Sequence, residues 1–526
     1  MCSKMFVTNS MPEITAPVRQ AVSLHAAPGG LEIMLSPCGV PVKEIRLTWQ
    51  LDTSGYTKIL SDAWGVTAGT LGWKKKEGAA RAEWYFALAG EQGVRCFGVK
   101  TGCSSFCSWL IEPQRITLIC DVKNGGEGVE LTQPLLCAVA VSMEGAAQET
   151  VYQTLRSFCG LMCEKPRLPG RPVYGCNNWY STYGDITRAS VLRDAELCAL
   201  LASGRPDDAP MPYMLIDDGW AASRVPGVEK YGPPAFNGGP YAPNADFGDM
   251  KLVAEEVQAR GCLPGIWIRP LCVRAELCPQ MPREFYSENQ DYARSEGTYG
   301  SILDPSVAGV REYVFDLVRR LSDSGYCIIK HDFTCPDFMG NDLRMPEMTR
   351  PGWHLHDRSK TNAQVLLALY QTIQDAANGA LVIGCNTYNH LAAGIHEIQR
   401  SGCDVSGVDW NVTRRNGINC LIHRLCQNRT FFLTDADCAA FTSYVPTEKN
   451  LQFAELIARC NSTLFVSAVP DVLTARDIDR LIEIFRCAAM EKNAAEPVDW
   501  MERAIPEEIM WNGQLYRYDW NGQQGR

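Results

Sequence analysis

The chain has 526 residues, of which 46% are hydrophobic and 21% charged, with 50 Lys plus Arg against 60 Asp plus Glu and a net charge of −10. That is the composition of a globular protein with room for about three average domains, or fewer if one is a large barrel. A mildly acidic chain with no basic run offers no electrostatic footprint to nucleic acid or to an anionic membrane surface, and no apolar run is long enough to span a bilayer.

Up to about Glu164, polar and apolar residues alternate in short runs such as "EIRLTWQL", "AEWYFALAG", "QRITLICDV" and "LLCAVAVSM", punctuated by Gly, Pro, Asn and Asp. This pattern predicts an antiparallel β-sandwich over residues 1–165. A helix, "AQETVYQTLRSFCGLM", follows, and the Pro-rich stretch "EKPRLPGRPVYG" marks the first domain boundary.

From Val173 strands alternate with helices. Eight strand candidates follow in order: "PVYGCNNW", "PYMLIDDGW", "CLPGIWIRP", "CIIKHDF", "LVIGCNTYN", "IHEIQRSGCD", "RTFFLTDAD" and "STLFVSAVP". Amphipathic helices lie between most of them. One buries Met250, Val253, Ala254 and Val257, and another Val310, Val314, Leu317 and Leu321. For the second, Asp304 is the expected N-cap, Pro305 the first helical residue and Gly325 the terminator. Eight such repeats predict a (β/α)8 barrel over residues 166–490. The remainder, 491–526, reads as a short β segment that alternates like one hairpin.

The N-terminus lacks the apolar core of a secretory signal. The 23 cysteines form no C-x-x-C pair, so they read as reduced, buried residues of a cytoplasmic protein, with neither disulfides nor structural zinc. The two histidines of "WHLHD" read as a loop, because no third ligand with suitable spacing is evident.

In a barrel of this kind function sits at the C-terminal ends of the strands. Those ends carry Asn177, Asn178, Trp179 and Tyr180; Asp217, Asp218 and Trp220; Trp267 and Arg269; Lys330 and Asp332; Asn386, Tyr388 and Asn389; Arg400 and Asp404; Asp435 and Asp437. Helix caps explain two or three of these acids. They do not explain Asp217-Asp218 followed by Gly-Trp, or a lysine two residues before an aspartate at the tip of an apolar strand. Lys330 and Asp332 alternate with His331 and so share one face. Carboxylates with aromatic walls and no metal-ligand spacing suit glycoside chemistry, which needs two carboxyl groups flanking the scissile bond.

On "MLIDDGW", "GIWIRP", "LDPS", "IIKHDF", the Arg400–Asp404 spacing of "RSGCD", and "TDADC", in order on eight strands, the segment from about Pro172 to Pro470 resembles the α-galactosidase clan, glycoside hydrolase families twenty-seven and thirty-six. The β-domain before the barrel resembles family thirty-six more. The resemblance implies a retaining exo-glycosidase acting on terminal α-galactosides. It implies Asp332 as nucleophile and Asp404 as acid/base, with the two carboxyl groups about 5–5.5 Å apart. It implies Asp217 and Asp218 on the galactose O4 and O6 hydroxyls, Lys330 on O3 and O4, and Arg400 reaching towards O2 and the acid/base. Trp179 and Trp267 are implied pocket walls. No metal or organic cofactor is implied, the partner is a small α-galactoside, and the resemblance admits a homo-oligomer.

The match departs at the fifth strand. "GCNTYNH" places Asn386 where many family twenty-seven members carry a glutamate that binds O2. The C2 substituent is thereby left open between hydroxyl and acetamido. Clan members usually carry a full C-terminal β-domain, of which only the first strands fit here. An α-N-acetylgalactosaminidase, a transglycosylase like the raffinose and stachyose synthases, and a catalytically silent sugar-binding barrel stand as alternatives.

Overall fold

The computed structural model describes residues 11–16, 18–221, 242–273, 281–290, 300–340 and 349–521. Among the described residues, eleven antiparallel strands in the N-terminal part share one hydrogen-bonded network. Its geometry turns on the strand Ala80–Gly90. Before Trp84 this strand pairs with Phe106–Glu112, and after it with Gly93–Val99. Trp84 itself is left-handed, with φ 58°, which kinks the strand between two layers. The predicted sandwich results, with Trp49, Trp84, Phe86, Phe97 and Trp109 in its core. Phe86 meets Trp109 edge-on at 5.6 Å. The helix Val151–Met162 closes this domain. Thr150 and Gln153 form its capping box, and its buried face carries Leu155, Phe158, Cys159 and Met162.

All eight predicted barrel strands form, all parallel, and close on themselves. They are β1 (Tyr174–Asn177), β2 (Tyr213–Ile216), β3 (Leu263–Ile268), β4 (Ile328–His331), β5 (Leu381–Gly384), β6 (Ile398–Arg400), β7 (Leu433–Phe441) and β8 (Thr463–Ala468). Their near-continuous burial is what a parallel sheet wrapped by helices requires. The helix Met250–Ala259 buries the four residues expected of it.

Three local expectations are corrected. The helix before β4 runs Ala308–Asp323 and starts at a Val307 cap, not at Asp304. Asp304 instead accepts hydrogen bonds from the Ser306 and His356 amides, 2.8 Å each, which ties up its carboxylate ahead of the helix. Gly325 does terminate that helix, at φ +98°. β7 does not stop at Asp435 and Asp437 but continues to Phe441, past an irregularity between Asp435 and Cys438. The third concerns the tail, where the expected hairpin Glu508–Trp511/Gln514–Arg517 gains a third short strand, Glu496–Pro497.

Trp84 stacks on His390 of the barrel at 4.9 Å, and Phe106 meets Tyr388 edge-on at 4.7 Å. The β-domain therefore seats against the end of the barrel where β5 emits its loop. The described cysteines are free thiols, mostly buried. Among the described residues no helix is long and apolar enough to cross a membrane, and no group of three or more His, Cys, Asp or Glu side chains is arranged to hold a metal.

Candidate active site

Asp332 lies one residue past β4, and three N–H donors converge on its carboxylate. The Trp267 indole reaches Oδ2 at 3.1 Å, and the Phe333 amide and the Asn386 side-chain amide each reach Oδ1 at 2.6 Å. Two of these donors depend on left-handed backbone: Phe333 has φ 60° and Asn386 φ 47°. Non-glycine residues rarely adopt this region, and such strain persists where surrounding structure enforces it. Here the enforcement is visible. Behind Phe333, Arg269 and Asp337 form a fully buried two-pronged ion pair, with contacts of 2.6 and 2.9 Å, and the Arg269 guanidinium sits 4.3 Å from the Phe333 ring centre. Trp267, expected as a pocket wall, is only 3% exposed, and its visible role is to hold Asp332.

Lys330 does not pair with Asp332. Its ammonium lies 2.7 Å from Asp217 Oδ2, with both side chains almost inaccessible. Burial, the largest influence, pushes the lysine down, but the Asp217 charge together with the other acidic groups around it, Asp437 among them, holds the ammonium well above its ordinary range. Asn177 also donates to Asp217 Oδ2, at 2.7 Å, and the Asn178 side chain accepts from the Asp217 amide at 2.9 Å. The two asparagines at the tip of β1 thus aim the β2 acid. Asp218 is turned by Gly219, whose amide reaches Asp218 Oδ1 at 2.7 Å. Gly219 has φ +116°, and a Cβ there would stand 2.3 Å from the Gly184 carbonyl oxygen, so the turn requires glycine. Trp179 opens the short helix Trp179–Thr182 after β1 and is half-buried, edge-on to Tyr183 at 5.7 Å.

Arg400 ends β6 and donates through Nη2 to two acids, Asp437 Oδ2 at 2.7 Å and Asp404 Oδ1 at 3.0 Å. Asp404 is 58% exposed, because its side chain stands in the open mouth of the barrel. Its carboxyl is nevertheless pushed up to about 6, first by desolvation in that recess and then by the charges of Asp437 and Asp332, against the pull of Arg400 and Lys330. The exposed edge tempers the desolvation, and the two neighbouring carboxylates add to it. Asp435 is buried and likewise pushed up to about 6, chiefly by burial.

The strand tips thus bring together Asp217, Asp218, Trp267, Lys330, Asp332, Asn386, Arg400 and Asp404 at one end of the barrel. Asp437 and Tyr180 stand at strand tips in the sequence, but nothing in their spacing marks a role for them. Asp437 Oδ2 accepts from Arg400, from the Val405 amide at 3.0 Å and from the Tyr180 hydroxyl. A β-bulge with Asp437 at φ 70° aims it there, and a bulge leaves no mark in strand periodicity. His331, read as a turn residue, is fully buried on the outer face of β4, its Nε2 3.1 Å from His396 Nε2.

Neither a family model nor a curated protein sequence matches the chain. Solved structures do. The α-galactosidase of Thermus thermophilus, solved with p-nitrophenyl α-D-galactopyranoside, superposes with a TM-score of 0.60 over 96% of both chains at 18% identity. A GH36 α-galactosidase of Geobacillus stearothermophilus, solved with raffinose, gives a TM-score of 0.60 over 96% of this chain and 74% of that one at 14% identity. A second from the same organism gives 0.59 over 91% and 70%, also at 14% identity. Across both the β-domain and the barrel, this chain has the fold of the GH36 α-galactosidases.

Proposed function

We propose that this chain is a retaining exo-α-galactosidase. The observation that carries the reading is the contrast between two carboxyl groups at one barrel mouth. Asp332 faces three N–H donors, whereas desolvation, with the charges of Asp437 and Asp332, raises the proton affinity of Asp404 against the pull of Arg400 and Lys330. Paired carboxyls whose surroundings differ in this way suit one nucleophile and one acid. The solved enzymes of like fold include complexes with p-nitrophenyl α-D-galactopyranoside, stachyose and raffinose, which supports a terminal galactose as the sugar bound.

In this mechanism an Asp332 oxygen attacks the anomeric carbon while Asp404 passes its proton to the departing glycosidic oxygen. The C1–O bond to the aglycone breaks, and a glycosyl ester to Asp332 forms. Asp404, now ionised, takes a proton from water as that water attacks the same carbon and releases the ester. Two inversions give net retention. Lys330, Asp217 and Asp218 offer one cation and two acids for the sugar hydroxyls, in charge-assisted hydrogen bonds, and Trp179 offers a ring face. One N–H of the Asn386 amide is given to Asp332, which leaves its second N–H and its oxygen to meet the C2 substituent.

The test is hydrolysis of aryl α-galactoside and aryl α-N-acetylgalactosaminide by wild type and by Asp332→Ala. Turnover of the galactoside that disappears in the variant supports the reading. Turnover of the acetamido sugar alone replaces it with the α-N-acetylgalactosaminidase, and cleavage of neither rejects the galactosidase.

A further inference from the structure

The turn that carries Asp404 is held residue by residue. The Ser401 amide donates to the Asp435 carbonyl at 2.8 Å. Gly402 packs so tightly that a Cβ would stand 2.1 Å from the Asn416 carbonyl oxygen. The Asp404 carbonyl accepts from the Asn416 side chain at 2.6 Å, and the Val405 amide donates to Asp437 at 3.0 Å. These tethers belong to the barrel.

One other comes from the β-domain itself, and another from a barrel arginine that the β-domain holds. The Cys403 amide, adjacent to Asp404, donates to the Thr67 carbonyl at 3.0 Å. The Ser401 carbonyl accepts from Arg424 Nη1 at 2.5 Å. That same guanidinium donates to Asp62 Oδ1 at 2.8 Å, to the Ala63 carbonyl at 3.2 Å and to the Gly65 carbonyl at 2.7 Å. Gln427 completes Asp62 at 2.8 Å on Oδ2. The Asp62 and Arg424 side chains are each 1% exposed. A buried charge pair of this kind is more often neutral than stabilising against an apolar replacement, so bulk stability is a poor account of it. Fixing geometry is a better one. One planar guanidinium with five donors locks a β-domain loop and the Asp404 turn into a single unit.

We propose that the β-domain segment Asp62–Thr67, acting through Arg424 and the Thr67 carbonyl, is a positioning element for Asp404. This rests on the reading of Asp404 as the acid/base. A misplaced acid hurts most when the leaving group needs its proton, so the two halves of the proposal have separate readouts.

The test is Arg424→Lys, which keeps the charge and the pairing with Asp62 but has no fork to bridge four acceptors. Amide exchange of the segment Ser401–Val405 should quicken about tenfold, with β4 unchanged. Cleavage of methyl α-galactoside, a poor leaving group, should fall about tenfold or more, while that of 2,4-dinitrophenyl α-galactoside falls less than about threefold. Unchanged exchange, or parallel losses on the two substrates, overturns the proposal. Asp62→Asn is read in the same way should the lysine variant not fold. If the wild type cleaves neither galactoside, the function reading fails by itself, and amide exchange alone decides whether the β-domain holds the turn.

Discussion

Arg400 and Asp437 form a buried ion pair, Nη2 to Oδ2 at 2.7 Å, with side chains 2% and 5% exposed. The pair is not closed, because the same nitrogen also reaches Asp404. Asp437 therefore acts on Asp404 in two ways. Its charge raises the proton affinity of Asp404 directly, and it shares the arginine whose charge lowers that affinity.

The first expectation concerns pH. In the proposed mechanism protonated Asp404 is the acid of the first step, and its carboxyl is pushed up to about 6. For a galactoside with a poor leaving group, kcat/KM should hold below that value and fall as pH rises through it. With a dinitrophenyl leaving group, which departs without a proton, the fall should flatten. A pH–rate profile on the two substrates checks both.

Asp437→Asn keeps an oxygen for the Val405 amide but removes the charge. Both effects of Asp437 on Asp404 are then lost, and both losses lower its proton affinity. The basic limb of the kcat/KM profile should move to lower pH, with activity at about pH 7 falling about tenfold for each pKa unit of displacement. A limb that stays in place would mean that Asp437 supports structure without tuning the acid.

Removing Lys330 leaves Asp217 as a buried acid that keeps, among the described residues, the Asn177 donor on that oxygen. Lys330→Met should cost about 3 kcal/mol of stability in urea unfolding. Asp217→Asn in the same chain should recover most of that loss. Neither variant should recover activity, because the charge-assisted contacts that the proposed function assigns to the sugar are lost, a deficit of about 100-fold in kcat/KM.

Asp435 gives a stability signature. Burial pushes its carboxyl up from 3.8 to about 6. The folded state therefore binds this proton more tightly than the unfolded state. The stability it contributes is full below the unfolded value and lost as pH rises through the folded one. Asp435→Asn retains the acceptor for the Asp437 amide, now 2.9 Å away, and has no charge to bury. Thermal melts should show the variant level with wild type at about pH 3.5 and more stable at about pH 7.5, by about 2–3 kcal/mol.

Much of this architecture could be read from periodicity and punctuation. The eight barrel strands, the apolar face of Met250–Ala259 and the stop at Gly325 follow from local rules that the tertiary structure does not contest. The site was legible as a set of polar residues at strand tips, because a buried apolar strand such as Ile328-Ile329 cannot carry Lys330 and Asp332 cheaply. Their partners were not legible. Lys330 pairs with Asp217 past the intervening strand β3, and Trp267 turns its indole on Asp332; such contacts depend on strand order and register. Asp437 was obscured by a bulge, and the Asp62–Arg424 pair joins residues from different domains. The start of the helix before β4 was misplaced because Asp304, a good cap by type, finds its partners in the preceding turn and in the loop at His356.

The measurement that tests the central claim most directly is peptide mapping after incubation with 5-fluoro-α-galactosyl fluoride, whose glycosyl ester hydrolyses slowly. The account predicts one fluorogalactosyl adduct, carried by the peptide that contains Asp332 and absent from Asp332→Ala. An adduct on another residue, or turnover of the fluoride with no adduct and with inversion at the anomeric carbon, would contradict it.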